Sequence, residues 1–198
     1  MDRRATREKL GISNRTRVVV WHGRVDIYRK GLDILVNAWN RLCQNHTVTD
    51  KLLILVGTGN DADELHVRIN SLNLPDVLWI DSYILDTTTI RRYLSAADAY
   101  VFPSRHEGFA VAPIEAMACG LPVVAAAAQG IPDIFENGEA DGGRVIPRGD
   151  EDALATSLSR ILNDPDWARK LGARARQRAI KCFSRKSIAL QLGEFLGL

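Results

Sequence analysis

The sequence has little of what marks disulfide-rich, metal-binding or membrane-spanning proteins. Among 198 residues there are three cysteines, without a C-x-x-C pair, and four scattered histidines. Such usage gives neither a disulfide framework nor a zinc site and favours a reducing compartment. No apolar run approaches the roughly 18 to 20 residues needed to cross a bilayer, and the opening MDRRATREKL lacks the apolar segment of a secretory signal. We therefore expect a soluble chain in the cytoplasm.

An excess of charge of one sign is missing as well. The 26 basic and 24 acidic residues leave a formal net charge of +2, so composition gives no reason to expect a nucleic-acid partner. With 46% hydrophobic residues, the chain can bury the core of one large globular domain.

Short apolar segments alternate with segments of helical spacing. The predicted strands are RVVVWH (17–22), LLILVG (52–57), VLWI (77–80), AYVFP (99–103), PVVAA (122–126) and GRVIP (143–147). The predicted helices lie near 31–44, 61–72, 87–97, 110–119, 131–136 and 151–163, and a last helix after Ser184 carries Ile188, Leu192 and Phe195. Continuously apolar strands indicate burial on both faces and hence a parallel sheet. The alternation predicts a doubly wound α/β fold, which binds ligands beyond the carboxyl ends of its strands.

The loop after the first predicted strand, GRVDIYRKG (23–31), contains two cations that could reach one anion. Gly23 and Arg24 stand at the end of the strand, and Lys30 and Gly31 stand just before the next helix. A guanidinium offers a planar fork to phosphate oxygens, and an ammonium offers a mobile point charge. From this loop alone, two solvated surface charges are the commoner interpretation.

The loop SRHEGF (104–109) precedes a second helix whose start is suited to an anion. Gly108 allows the backbone to approach a ligand closely. The free N–H groups of Phe109, Ala110 and Val111 are predicted to face that ligand at the positive end of the helix.

Two glutamates, Glu107 and Glu115, stand eight positions apart around this helix start. Glu115 lies about one turn inside the helix, where a carboxylate can accept hydrogen bonds from a diol such as ribose. Glu107 can accept from a second polyol. The alternative interpretation makes Glu107 a partner of the helix dipole and Glu115 a surface residue, although an acid within the apolar IEAMACGLPVV needs a partner.

Four segments together resemble a known family. They are GRVDIYRKG (23–31), GTGNDADEL (57–65), LSAADAYVFPSRHEGFAVAPIEAMACGLPVVAA (94–126) and GIPDIFENG (130–138). In order and spacing they are similar to the carboxyl-terminal half of the retaining glycosyltransferases of family 4, from about Arg17 to Phe195. The resemblance implies a Rossmann-like parallel sheet with flanking helices, which is one half of a GT-B architecture, and the transfer of a hexosyl group from a nucleotide-diphosphate sugar.

The resemblance also assigns roles to the residues of both loops. It implies that Arg24 and Lys30 grip the donor pyrophosphate beside Gly23, that Glu115 holds the nucleotide ribose and that Glu107 lies at the donor sugar. By the same resemblance, Gly108, Phe109, Ala110 and Val111 line the sugar and phosphate pocket. Arg24, Lys30 and Glu107 are thus the predicted catalytic residues. Fixed cations and a helix terminus can stabilise the departing diphosphate, so we expect no cofactor and no metal.

A few positions depart from the family pattern or allow another interpretation. Ala110 replaces a glycine or serine, Asp133 replaces a glutamate, and Asp81 replaces a glycine near the expected base pocket, which leaves the nucleotide preference open. The GTG at 57–59 lacks the third glycine of a dinucleotide fingerprint. The histidines flanking the loops, His22 and His106, are more commonly packed or solvated residues than ligands.

The resemblance has no counterpart for the family's amino-terminal acceptor domain. Residues 1–16 are expected to be a linker or extension and residues 17–198 the nucleotide-sugar-binding domain, which is inactive in isolation and needs an acceptor domain in cis or in trans. A non-catalytic nucleotide-sugar-binding or partner module is the alternative function. The segment DWARKLGARARQRAIKCFSRK (166–186) is basic and suits either peripheral contact with an anionic membrane or, more commonly, solvent.

Overall fold

The computed structural model describes residues 2–45 and 48–197, so residue 198, the predicted end of the domain, lies outside the described residues. Six parallel strands form one sheet in the order β3-β2-β1-β4-β5-β6. They are β1 Arg17–His22, β2 Lys51–Val56, β3 Val77–Ile80, β4 Ala99–Phe102, β5 Val123–Ala126 and β6 Gly143–Ile146. Every predicted strand is present within one residue of its expected ends, and the doubly wound, Rossmann-like fold is confirmed.

The helices cover both faces of the sheet. They are α1 Arg3–Lys9, α2 Ile27–Lys30, α3 Leu32–Gln44, α4 Ala62–Ser71, α5 Thr87–Ala96, α6 Val111–Ala118, α7 Ile131–Ile134, α8 Glu151–Asn163, α9 Pro165–Phe183 and α10 Arg185–Leu196, with a 3₁₀ turn at Gly138–Asp141. Because alternate residues of a strand point to opposite faces, β1 sends Val19 and Trp21 into the layer with α3 and α8, and Val18 and Val20 into the layer with α6 and α7.

The sequence did not predict α1, which lies in the segment expected to be a linker or extension. This helix packs beside α5, and its Arg7 is 2% exposed. The Arg7 guanidinium donates to the carbonyl oxygens of Ala96, Ser13 and Thr16 and to Asp98 Oδ2. The helix α1 is held by this buried arginine and has no apolar stripe, which is the pattern by which sequence analysis recognises a surface helix.

The carboxyl-terminal helices have two surface features. Ile188, Leu192 and Phe195, which the last helix was predicted to carry, are all more than half exposed on α10. On α9, part of the basic charge is bound by the chain itself, since Arg178 donates to the carbonyl oxygens of Asp133 and Ile134. Among the described residues, no helix combines the length and the apolar character that a membrane span requires.

Candidate functional site

The predicted loops meet at the edge of the sheet where the carboxyl ends of β1 and β4 lie side by side. The strand order reverses direction between these two strands, and doubly wound sheets bind ligands in the crevice at such a point. The loop after β1 and the loop after β4 therefore form the two sides of the candidate site.

A glycine with a left-handed backbone brings these two loops into contact. Gly31 ends α2 with a φ of +65°, and a Cβ atom there would collide with the carbonyl oxygen of Pro103. The backbone N–H of Arg105 donates to the carbonyl oxygen of Arg29 at 2.9 Å. Only glycine fits both the conformation and the close approach, so the cation at position 30 is held against the loop after β4.

Lys30 and Glu107 form an ion pair across this contact. The distance from Nζ to Oε1 is 2.7 Å, and the side chains are 20% and 7% exposed. An ammonium has three donors, so Lys30 keeps two for further oxygen atoms after bonding Glu107. The buried carboxylate is thereby a partner of Lys30, a contact that the sequence did not predict.

A second ion pair fixes the loop after β4 on its outer side. Arg105 donates to both carboxylate oxygens of Asp33 on α3 at 2.7 Å each, and to the carbonyl oxygen of Tyr28 at 2.9 Å. The guanidinium also lies over the Tyr28 ring, and its hydrogen bonds to Asp33 raise the pKa of Arg105. This clamp was missed because nothing in the sequence pairs two residues that are 72 positions apart.

Glu115 has a partner on the neighbouring strand. The distance between His22 Nε2 and Glu115 Oε2 is 3.0 Å, and the two side chains are 10% and 45% exposed. The imidazole ring lies at the end of β1 beside the ring of Tyr100, whose hydroxyl donates to the carbonyl oxygen of His22 at 3.4 Å. Burial raises the pKa of Tyr100, so this hydroxyl keeps its proton. His22, expected to be packed or solvated, is packed and also bonded to a predicted site residue.

A cleft of about 320 Å³ opens above these residues. Its lining includes His22, Gly23 and Arg24 from β1 and its loop, the exposed segment 82–85 after β3, and Glu115. The Arg24 side chain is exposed and has no hydrogen-bond or ion-pair partner among residues 2–45 and 48–197. The structure thus brings Gly23, Arg24 and Glu115 to one cleft, while Lys30 and Glu107 pair with each other beside it.

The GTG segment has a packing role at the same edge. A Cβ at Gly57 would collide with the carbonyl oxygen of Gly23, and one at Gly59 would collide with that of Val25. The backbone N–H of Val25 donates to the carbonyl oxygen of Thr58 at 3.0 Å. These glycines let the loop after β2 support the loop that carries Arg24, and they need no dinucleotide to explain them.

The start of α6 differs in one detail from expectation. Ala110, at the N-cap position, is 2% exposed and offers no side-chain cap, whereas Gly108, Phe109 and Val111 are exposed. The N–H of Val111 donates to the carbonyl oxygen of Phe109 at 3.2 Å. It is therefore not one of the free donors that the sequence predicted, because the turn before the helix already uses it.

Asp81, one of the residues that depart from the family pattern, directly precedes the cleft-lining segment 82–85 and is bound by the chain. Its Oδ2 lies 3.0 Å from His66 Nε2, and the His66 ring stacks on Trp79 with 3.9 Å between centroids. Hydrogen bonds from Thr58, and then from His66, hold the pKa of Asp81 below its usual value.

Unsatisfied polar atoms concentrate at this edge. Among the described residues, the buried side-chain atoms without a hydrogen-bond partner are Trp21 Nε1, His22 Nδ1 and Ser104 Oγ. Trp21 and His22 end β1, and Ser104 follows β4. Because buried polar groups are normally paired, these three atoms are hydrogen-bonding capacity that the described residues leave unused at the carboxyl ends of β1 and β4.

The chain matches the model of the glycosyl transferases group 1 family over residues 2–178 and belongs to that family. It is 31% identical over 166 residues to the MMP α-(1→4)-mannosyltransferase of Mycolicibacterium hassiacum, which is 84% of this chain and 39% of that protein. The chain therefore spans well under two thirds of the length of this relative.

Solved structures of glycosyltransferases have the same fold. Sucrose-phosphate synthase from Thermosynechococcus elongatus superposes with a TM-score of 0.83 and 33% identity over 98% of this chain and 48% of that one. Anabaena HepE, solved in complex with UDP, superposes with a TM-score of 0.84 and 28% identity over 98% of this chain and 51% of that one.

Proposed function

We propose that the chain is the donor-binding domain of a retaining glycosyltransferase. It passes a hexosyl group from a nucleotide-diphosphate sugar to an acceptor held by an amino-terminal domain, which is supplied in cis or in trans. The observation that carries this proposal is the meeting of Arg24 and Glu115 in one cleft at the reversal of the strand order, where the cation has no partner among the described residues.

The charges of the cleft suit a nucleoside diphosphate. Arg24 is free to bind pyrophosphate oxygens, and Lys30 keeps two donors for the same group while Glu107 holds its third. When the bond between the sugar and the diphosphate breaks, negative charge grows on the leaving oxygen, and fixed cations stabilise that charge. Glu115 accepts hydrogen bonds from the ribose, and Glu107 reaches the sugar hydroxyls with its second oxygen. HepE, solved with UDP, has a related fold and supports this choice of ligand.

We further propose that binding needs no metal ion, because Arg24 and Lys30 neutralise the pyrophosphate directly. The chain on its own is expected to transfer little sugar, since closure of a second domain excludes water and orients the acceptor.

Calorimetric titration of the 198-residue chain tests this function. UDP, GDP and ADP, and their glucose, mannose and N-acetylglucosamine conjugates, are titrated with and without EDTA. We expect binding of one nucleotide class with an affinity that EDTA does not change. Loss of binding in EDTA would refute metal independence, and no binding of any of these compounds would refute a donor domain.

One contact favours the alternative of a non-catalytic binding module. The pair between Lys30 and Glu107 engages two of the predicted catalytic side chains with each other. A module of this kind would bind the nucleotide sugar yet leave it intact when the acceptor domain of a relative is added. Release of nucleoside diphosphate in that mixture would exclude the alternative.

A further inference from the structure

We propose that His22 is a positioning residue that holds the Glu115 carboxylate in the orientation in which it accepts the ribose hydroxyls of the nucleotide. The proposal rests on the function proposed above for Glu115 and adds a residue to which the resemblance assigned no role. It starts from the 3.0 Å contact between His22 Nε2 and Glu115 Oε2.

The two side chains differ in burial and in packing. Glu115 stands on the open side of α6 and is 45% exposed, so its carboxylate needs an external contact to stay in one place. His22 is 10% exposed and ends a buried strand, with its ring 5.4 Å from that of Tyr100 and its carbonyl oxygen bonded by the Tyr100 hydroxyl. A packed ring that bonds a mobile carboxylate lowers the entropy which that carboxylate loses on binding a ligand.

Hydrogen-bond accounting assigns the tautomer of His22. Nδ1 is buried without a partner in the described part of the chain. A neutral ring with its proton on Nε2 donates to Glu115 and leaves one acceptor unpaired. A neutral ring with its proton on Nδ1 would instead set two acceptors, Nε2 and Oε2, against each other at 3.0 Å, which costs more.

This tautomer leaves Glu115 able to bind a diol. An ionised carboxylate accepts about four hydrogen bonds, and the Nε2–H group of His22 takes one of them on Oε2. Oε1 and the second lone pair of Oε2 are free for the ribose hydroxyls. His22 also precedes Gly23 and Arg24, so one strand end fixes both the ribose carboxylate and the phosphate cation.

The test compares a ribonucleotide with its 2′-deoxy counterpart. Calorimetry measures the dissociation constants of UDP and 2′-deoxy-UDP, and of GDP and 2′-deoxy-GDP, for the wild-type chain and for His22→Phe, His22→Gln and Glu115→Ala. His66→Phe is the matched control, because His66 also pairs with a carboxylate, that of Asp81, at 3.0 Å. We expect the wild type to prefer the ribonucleotide about tenfold, as one hydrogen bond to a charged group predicts.

The expected pattern separates a positioning role from a structural one. His22→Phe keeps an aromatic ring at this position without a donor for Glu115, and it should reduce the ribose preference to about twofold or less by weakening only the ribonucleotide. His22→Gln, whose amide can donate to Glu115, should retain most of the preference, and His66→Phe should retain all of it. Equal weakening of both nucleotides by His22→Phe would show a merely structural role and overturn the proposal.

The failures of the two proposals are distinguishable. If Glu115→Ala leaves the ribose preference unchanged, then the role of Glu115 in the proposed function is wrong. If Glu115→Ala removes the preference while His22→Phe preserves it, only the role of His22 is wrong. Should His22→Phe fail to fold, nitrogen NMR of the wild-type chain decides, since a His22 ring protonated on Nδ1 alone could not donate to Glu115.

Discussion

Two arginines at opposite ends of β1, Arg7 and Arg24, differ in burial and in bonding. At the amino end of the strand, Arg7 is 2% exposed, and its guanidinium donates to three carbonyl oxygens and to Asp98. At the carboxyl ends of the strands, Arg24 lines the cleft and is exposed. It has no hydrogen-bond or ion-pair partner within the described residues.

This difference separates charge used for stability from charge available for binding. A guanidinium that leaves water needs replacement hydrogen bonds, and the carbonyl oxygens of Ala96, Ser13 and Thr16 together with Asp98 accept four from Arg7. Asp98 Oδ2 also accepts from the backbone N–H of Val18, so the network fixes the beginning of β1. Arg24, at the other end of this strand, keeps its water and exchanges it for ligand oxygens at little cost.

The largest effect that the comparison predicts is on folding. Arg7→Met should lower the free energy of unfolding by about 3 kcal/mol, because three carbonyl oxygens lose their buried donor, while Asp98 keeps Arg3 and the backbone N–H of Val18 as partners. Chemical denaturation measures the change. Arg3→Met is the matched control: Arg3 bonds the same Asp98 but is 47% exposed, so its loss should cost about 1 kcal/mol or less. Similar losses for the two variants would contradict the assigned role of burial.

The next effect is on binding. Arg24→Ala should weaken nucleoside diphosphate binding by about 1.5 to 3 kcal/mol, or roughly ten- to a hundredfold, and leave the unfolding free energy nearly unchanged. Calorimetry and denaturation of the same variant measure both quantities. Arg29→Ala, in the same loop but outside the lining of the cleft, is the control and should bind normally. Unchanged binding by Arg24→Ala would remove the basis for the proposed phosphate grip.

Sequence reasoning found the strands and the loops but not the contacts between side chains. Short apolar runs mark β1 to β6, and the rule for doubly wound sheets places the site in the loops at the carboxyl ends of the strands. The sequence did not predict α1, because this helix is held in place by Arg7 rather than by an apolar stripe. The pair of His22 with Glu115 spans 93 positions, and its existence depends on rotamers and the exact strand register, which residue spacing does not encode.

A smaller effect is expected for the ion pair between Arg105 and Asp33, which clamps the loop after β4. Unlike Arg24, Arg105 is a paired arginine at the carboxyl ends of the strands. Arg105→Lys keeps the charge but loses the two parallel bonds to Asp33. We expect a loss of about 1 kcal/mol in unfolding free energy and a few-fold weaker nucleotide-sugar binding, because the loop also carries Glu107. Arg41→Lys, in an exposed ion pair with Asp152, should leave binding unchanged. If the two variants bind equally well, the clamp does not position the site.

Substitutions of Glu107 and Glu115 should affect the binding of the nucleotide sugar and of the free nucleoside diphosphate differently. Glu107→Gln should weaken the nucleotide sugar several-fold more than the free nucleoside diphosphate, because the carboxylate is proposed to contact the sugar. Glu115→Gln should weaken both ligands alike, since both contain the ribose. Titration of each variant with the nucleotide and with its sugar conjugate measures the two ratios. Equal ratios for the two variants would refute the separate roles.

The smallest effect is on the pH dependence of stability. It concerns Asp81, a carboxylate near the carboxyl ends of the strands that accepts hydrogen bonds from the chain itself. Hydrogen bonds from Thr58 and His66 hold the pKa of Asp81 below the unfolded value of 3.8. The stabilisation is therefore present above about pH 4 and is lost as pH falls through the lower folded pKa. Asp81→Asn should lower the melting temperature by about 2 °C or less at pH 6, and the difference from wild type should shrink below pH 4. A difference that persists or grows in acid would mean that the Asp81 carboxylate contributes no stability through its charge.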